Sequence, residues 1–427
     1  MRDVRTIHPA SRLQGRVRVP GDKSISHRAL LLGALAEGPS RIRGFLPSGD
    51  CHATLSAIEA LGVPIEVHDA TTLTVHGRGL HGLRPPDGLL DCARSGTTMR
   101  LLAGILAGLP FPSVLTGSEQ LRRRPMDRIV RPLQRMGAAI ESRAGCAPLS
   151  IHGSGALRGM AHDLPVASAQ VKSAILLAGL YAEGPTVVRQ PGPARDHTER
   201  MLDAMGADLD VEGLVVTLRP PASLAPLDLH IPGDLSSAAF PLVAAALVPG
   251  SRVTVAEVGV NPTRTGLLDA LRDMGADLTI VPLSDQGGEP AADVTVRAAP
   301  LHAVTVRGAN VVRMIDEFPI LAVAATQAQG TTIVEDAAEL RVKETDRIAT
   351  VVGELRRMGA RIEARPDGFL VQGPTSLRGA VVDSHGDHRL AMALAVAGLV
   401  ATGETVVRGA GCVADSFPGF FETLERV

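Results

Sequence analysis

The sequence predicts an α/β protein of two similar domains, each assembled from three copies of a βαβαββ-type unit of about 70 residues. Three observations predict it. First, a polar loop bearing Ser or Asp, an Ala/Leu-rich stretch, a Gly and a β-branched run follow one another six times. The loops stand at Ser24, Ser95, Ser168, Ser236, Asp316 and Asp387, 68 to 80 residues apart. Second, the phrases Met136-Gly-Ala, Met205-Gly-Ala, Met274-Gly-Ala and Met358-Gly-Ala recur within that pattern, with Leu61-Gly-Val as a looser copy. Third, Val19-Pro-Gly-Asp-Lys-Ser returns 212 residues later as Ile231-Pro-Gly-Asp-Leu-Ser, so three units make one half.

Each element of the unit has a physical reason. The stretches 30–38, 101–108, 174–184, 238–247, 318–330 and 390–403 are apolar almost all round, which predicts helices buried on every face. Short β-branched runs follow their glycines, as at Thr186-Val-Val, Arg252-Val-Thr-Val, Thr331-Thr-Ile-Val and Thr405-Val-Val, and read as strands. A second, amphipathic helix then ends at the Met-Gly-Ala phrase, where Gly suits the left-handed position that closes a helix. The two Pro-Gly-Asp crossings are natural hinges. They divide the chain into residues 21–232 and a domain that joins 1–20 to 233–427, with hinges near 20–22 and 232–234.

Composition excludes several function classes. With 45% hydrophobic and 21% charged residues in 427, the chain has material for a large core. A net charge of −2 provides no global attraction to nucleic acid or acidic lipid. With 2% aromatic residues, the stacking platforms of single-strand binders are missing. Cys51, Cys92, Cys146 and Cys412 are scattered, which fits a reducing cytoplasm. There is no signal-like N-terminal stretch, and the longest apolar runs are too short to span a bilayer. His27 and His388 lack metal-ligand spacing, and no P-loop, GxGxxG or GxSxG motif is present. The expectation is a cytoplasmic monomer with neither metal nor cofactor.

The unusual charge gathers in the polar loops. Helix N-termini there carry unpaired N–H donors and about half a positive charge each. Lys23, Arg28, Arg124, Lys343, Arg347 and Arg389 outnumber Asp316, Glu344 and Asp387, a local excess suited to a substrate carrying phosphate and carboxylate. The few carboxylates are available to move protons.

In order along the chain, Gly21-Asp-Lys-Ser-Ile-Ser-His-Arg28, Leu115-Thr-Gly through Arg124-Pro125, Ser168-Ala-Gln170, Asp316-Glu-Phe-Pro319, Arg341-Val-Lys-Glu-Thr-Asp-Arg347 and Asp387-His-Arg389 resemble the 5-enolpyruvylshikimate-3-phosphate synthase family. The resemblance runs from about residue 8 to 425. It implies the enolpyruvyl transferase fold, an inside-out α/β barrel repeated in two domains that close over shikimate 3-phosphate and phosphoenolpyruvate. It implies transfer of the enolpyruvyl group to the 5-hydroxyl of shikimate 3-phosphate by addition and elimination, with release of phosphate, on the route to chorismate and the aromatic amino acids.

Carried onto this sequence, the family pattern places Lys23, Ser24, Arg28, Ser168, Ala169, Gln170, Asp316 and Lys343 on shikimate 3-phosphate. It places Lys23, Gly96, Arg124, Gln170, Arg347 and Arg389 on phosphoenolpyruvate. Asp316 would take the hydroxyl proton, and Lys23 and Glu344 are the candidates for protonating the methylene carbon.

Departures from the pattern resemble the second, divergent bacterial class. Ala93-Arg94 stands where Gly-Asn is usual, Asp415 where some members have a Lys that binds phosphoenolpyruvate, and Glu339 where the other class has Asn. Arg94 either alters affinity for phosphoenolpyruvate and for the competing inhibitor glyphosate, or turns to solvent. Arg195 is a further candidate for the shikimate phosphate. Two alternatives remain. UDP-N-acetylglucosamine enolpyruvyl transferases share the chemistry, but their mobile loop presents a Cys that residues 117–125 lack. A catalytically impaired anion-binding paralogue is the other.

Overall fold

The computed structural model describes residues 3–153, 155–283 and 288–427. Of these, the residues of 21–231 together with Gly288 and Glu289 form one compact unit, and those of 3–20, 232–283 and 290–427 form the other. Each has its own continuous apolar core.

In the 21–231 unit, three four-stranded sheets share one order. They are Leu90–Asp91, Ser113–Thr116, Cys146–Ile151, Ile140–Arg143; Ala161–Asp163, Thr186–Arg189, Val215–Leu218, Leu209–Glu212; and Asp228–His230, Pro39–Arg43, Leu73–His76, Ile65–Val67. In every one the first pair is parallel and the remaining pairs antiparallel. Parallel neighbours need a long crossover. In two of the sheets it runs through a buried helix, Gly96–Ala107 or Ala169–Gly179.

The other unit repeats the plan with Thr305–Val306, Gly330–Val334, Gly368–Gly373, Arg361–Arg365 and with Gln14–Arg18, Arg252–Gly259, Ala291–Arg297, Asp277–Pro282. Its third sheet has three strands. Val381–Asp383 and Thr405–Arg408 flank the helix His388–Leu399, and Val4–Ile7 from the start of the chain adds on antiparallel.

The two repeats next to the Pro-Gly-Asp crossings are not contiguous stretches of chain. Gln14–Arg18 precedes the helix Lys23–Leu35 in sequence, yet it pairs with Arg252–Gly259. The strand beside Pro39–Arg43 is Asp228–His230. Each of these strands thus pairs within its own compact unit, on the N-terminal side of a Pro-Gly-Asp crossing. Backbone ladders carry no residue identity, and Val17 and Leu229 each bring a buried aliphatic opposite another, Val255 and Ile42, so register alone distinguishes the partners.

The Pro-Gly-Asp repeat also carries two helix starts. Helices begin at Lys23 and Leu235, several residues ahead of the apolar stretch at 30–38 and three ahead of that at 238–247, capped by Asp22 onto the Ile25 N–H at 2.9 Å and by Asp234 onto the Ser236 N–H at 2.8 Å. Ser95, Ser168 and Asp387 do cap their helices. The helix Phe318–Gln327 starts without a side-chain cap, which leaves the Asp316 carboxylate outside that role.

The Met-Gly-Ala stops behave as read. Met136, Met205, Met274 and Met358 are the C-cap residues of their helices and are buried, and Gly137, Gly206, Gly275 and Gly359 follow at φ of 102°, 79°, 89° and 90°.

Candidate active site

In the 21–231 unit, Lys23 is the first residue of its helix, and its Nζ donates to Asp50 Oδ2 at 3.0 Å. Ser24 follows, and Arg195 Nη1 reaches its hydroxyl at 3.5 Å. Arg28, one turn on, is buried. It donates from Nε to Thr198 Oγ1 at 2.7 Å, from Nη2 to Ser173 Oγ at 2.8 Å and from Nη1 to the Ser24 carbonyl at 2.9 Å. Three of its five N–H donors thus brace the protein, leaving two for a ligand. Burial pulls its pKa down to about 10, opposed by Glu199 and Asp22, so it stays cationic at neutral pH.

Ser168, Ala169 and Gln170 open the helix Ala169–Gly179, with Ser168 as its cap. Gln170 Oε1 accepts from Arg100 Nη1 at 2.5 Å and its Nε2 donates to Thr97 Oγ1 at 3.0 Å, so it is locked to the neighbouring helix Gly96–Ala107. Gly96 has a steric reason. A Cβ there would lie 3.0 Å from both Arg100 Nη1 and Arg124 Nη1, so the absent side chain leaves room for two guanidinium groups. Gly96, Arg100, Arg124 and Gln170 therefore form one cluster.

Two residues of the charged motifs turn inward. His27 bonds Thr54 Oγ1 at 2.7 Å and burial pushes its pKa down to about 3, so it is a neutral core residue. Lys172 pairs with Glu199 at 2.5 Å, both nearly inaccessible to solvent.

Ala93 adopts φ 49°, the left-handed region where Gly is favoured, and its neighbour Arg94 is half-buried and donates from Nε to Gln120 Oε1 at 3.1 Å rather than turning to solvent. An L-residue other than Gly in this conformation is strained. Ala93→Gly is expected to stabilise the protein by about 0.5–1 kcal/mol. A urea unfolding midpoint that stays put or falls would contradict this.

In the other unit, Arg347 is the hub. Its Nε and Nη2 grip Asp387 at 2.7 and 3.3 Å, Nη2 also reaches Glu344 at 2.6 Å, and Nη1 reaches Asp316 at 3.4 Å. Burial pulls its pKa down, but Asp387, Glu344 and Asp316 together push it above the ordinary arginine value. Arg389 approaches the second oxygen of Asp316 at 3.7 Å and Glu317 at 3.9 Å. The Asp316 carboxylate thus stands between two guanidinium groups. Asp387 is fully buried, caps the helix that carries Arg389, and accepts from the Arg389 N–H at 2.9 Å.

Lys343 has its pKa lowered, chiefly by burial and against the pull of Asp316 and Glu339. Its charge is therefore lost at a pH below the ordinary 10.5, and any anion it binds is released from the alkaline side early. Lys343→Arg is expected to move that alkaline loss of shikimate 3-phosphate affinity to higher pH, as followed by titration calorimetry. An unmoved limb would show that Lys343 does not govern it. Asp415 lies half-buried at the end of the short 3-10 segment Ala410–Asp415.

The residues that sequence reasoning missed are mostly partners of the expected ones. Asp50, Thr97, Thr198 and Glu317 come from other helices or lie beside a motif. The only hint of Asp50 was an acid in the first turn of a helix, a common feature. Among the described residues, no group of three or more His, Cys, Asp and Glu is placed to hold a metal ion, and no helix is long and apolar enough to cross a membrane.

The profile of a family described as EPSP synthase (3-phosphoshikimate 1-carboxyvinyltransferase) matches residues 7–424. The chain is 54% identical over 424 residues to the 3-phosphoshikimate 1-carboxyvinyltransferase of Citrifermentans bemidjiense, covering 99% of this chain and 98% of that protein. It is 49% identical over 426 residues to the Bacillus thuringiensis protein of the same name, with 99% of both covered. A crystal structure of EPSP synthase from Acinetobacter baumannii superposes with a TM-score of 0.89 at 44% identity, covering 100% of this chain and 98% of that one.

Proposed function

The chain belongs to the EPSP synthase (3-phosphoshikimate 1-carboxyvinyltransferase) family, and on that premise we propose how its residues divide the reaction. The protein transfers the enolpyruvyl group of phosphoenolpyruvate to the 5-hydroxyl of shikimate 3-phosphate and releases phosphate, a step of the shikimate pathway.

Lys23, Ser24, Arg28, Ser168, Ala169 and Gln170, with Lys343, bind shikimate 3-phosphate. Arg195, held at Ser24, adds a cation for its phosphate. Arg124, Arg347 and Arg389, with Lys23, Gly96 and Gln170, bind phosphoenolpyruvate, where the planar guanidinium suits carboxylate and phosphate. The observation that carries the reading is the placing of Asp316 between Arg347 and Arg389. A base so placed adjoins the cations assigned to the electrophile.

In the addition, Asp316 accepts the proton of the 5-hydroxyl while the hydroxyl oxygen bonds to the central enol carbon, and Lys23 or Glu344 delivers a proton to the methylene carbon. The product is a tetrahedral adduct. In the elimination, the methyl carbon returns a proton, the double bond reforms and the C–O bond to phosphate breaks. The protein works as a monomer in the cytoplasm.

The direct test is phosphate release on mixing the protein with phosphoenolpyruvate and shikimate 3-phosphate, beside a parallel mixture containing UDP-N-acetylglucosamine. Release with the first acceptor alone is expected. Release with the second alone would assign the other transferase activity.

A further inference from the structure

We propose that Asp50 is a positioning residue that holds the Lys23 ammonium in its working place, an inference that rests on the assignment of Lys23 above. The two side chains meet at 3.0 Å with 15% and 14% of their surfaces exposed, on different helices and 27 positions apart.

Lys23 has a poor site for a cation. It is the first residue of the helix Lys23–Leu35, where the unpaired N–H groups carry partial positive charge and repel an ammonium. The capping carboxylate of Asp22 is engaged by the Ile25 N–H at 2.9 Å. A Lys on a flexible four-carbon stem at such a place swings toward water unless a fixed anion holds it.

Asp50 is such an anion. It sits in the first turn of the helix Gly49–Ala60, but Ser48 already supplies the cap by accepting from the Cys51 N–H at 3.4 Å. Its backbone is registered to the rest of the site. The Asp50 carbonyl accepts from Thr98 Oγ1 at 3.5 Å, and that hydroxyl also bonds Thr54 of the Asp50 helix at 2.6 Å. Thr98 belongs to the helix that begins at Gly96, beside Arg124. One polar contact thus ties the partner of Lys23 to the helix that places the cluster of Gly96, Arg124 and Gln170.

The sign of the charge makes the role testable. A carboxylate beside a site for two anions opposes their binding, so simple electrostatics predicts that its removal tightens both substrates. Positioning predicts slower turnover instead. Asp50→Asn is expected to lower kcat about tenfold or more, the size of effect a small misplacement of a reacting group produces, while neither KM rises. Asp50→Glu, which keeps the charge, should restore kcat to within about threefold of wild type.

An unchanged kcat in Asp50→Asn would overturn the proposal. So would equal losses of kcat in the Asn and Glu variants that track a fall in melting temperature, since that marks a stabilising residue only. Lys23→Gln separates the two levels of the argument. Near-normal turnover there removes the assignment of Lys23 itself. Loss of turnover there, with Asp50→Asn at wild-type rate, removes the positioning proposal alone.

Discussion

Asp316→Asn is expected to bind both substrates and to release phosphate about 10²–10⁴-fold more slowly than the wild type, the usual contribution of a positioned general base. Asn matches Asp in shape, so the substitution removes only the charge and the capacity to take the hydroxyl proton. The neighbours sharpen the expectation. Arg347 at 3.4 Å and Arg389 at 3.7 Å are partly engaged by this carboxylate in the free protein. Neutralising it loosens its hold on Arg389 and on the Nη1 of Arg347, so affinity for phosphoenolpyruvate should hold or improve while kcat collapses. A variant that turns over near the normal rate would remove Asp316 from the role of base. One that loses affinity as much as rate would recast it as a binding residue.

Asp387→Ala is expected to destabilise its unit by about 3 kcal/mol and to weaken phosphoenolpyruvate binding at the same time. Removing one partner of a buried ion pair leaves the other charge without compensation, and Arg347 is almost wholly enclosed. Glu344 and Asp316 still face Arg347, which keeps the loss at the lower end of the range for such pairs. The same carboxylate caps the helix that carries Arg389, so its loss disturbs both arginines together. Urea unfolding of the free protein and the KM for phosphoenolpyruvate measure the two effects. Stability and KM both near wild type would show that Glu344 and Asp316 suffice to hold Arg347.

The positions of the candidate residues at helix starts were legible, because helix starts have a local grammar. Ser95, Ser168 and Asp387 stand in the polar loops of the repeat and cap their helices, and the residues that the family resemblance singles out, Gly96, Ala169, Gln170 and Arg389, lie in the first turns that follow. The pairings within the site were not legible. Asp50 meets Lys23 across 27 positions, Asp387 meets Arg347 across 40 and Thr198 meets Arg28 across 170, and no local rule links them. Motif membership also misleads about direction. His27 lies in a charged motif and Lys172 two positions after Gln170, but the helical turn points them into the core, to Thr54 and to Glu199.

The sequence by itself determined the sixfold unit, the buried helices, their stops and the inventory of charged groups, because each rests on periodicity, capping and the conformational freedom of glycine, which act over a few residues. Only the tertiary structure decided which strands pair, Gln14–Arg18 with Arg252–Gly259 and Asp228–His230 with Pro39–Arg43, and which anion holds which cation. Those choices depend on backbone hydrogen bonds and Coulomb attraction between groups far apart in the chain. Such forces act on distance in space, which the order of residues does not state.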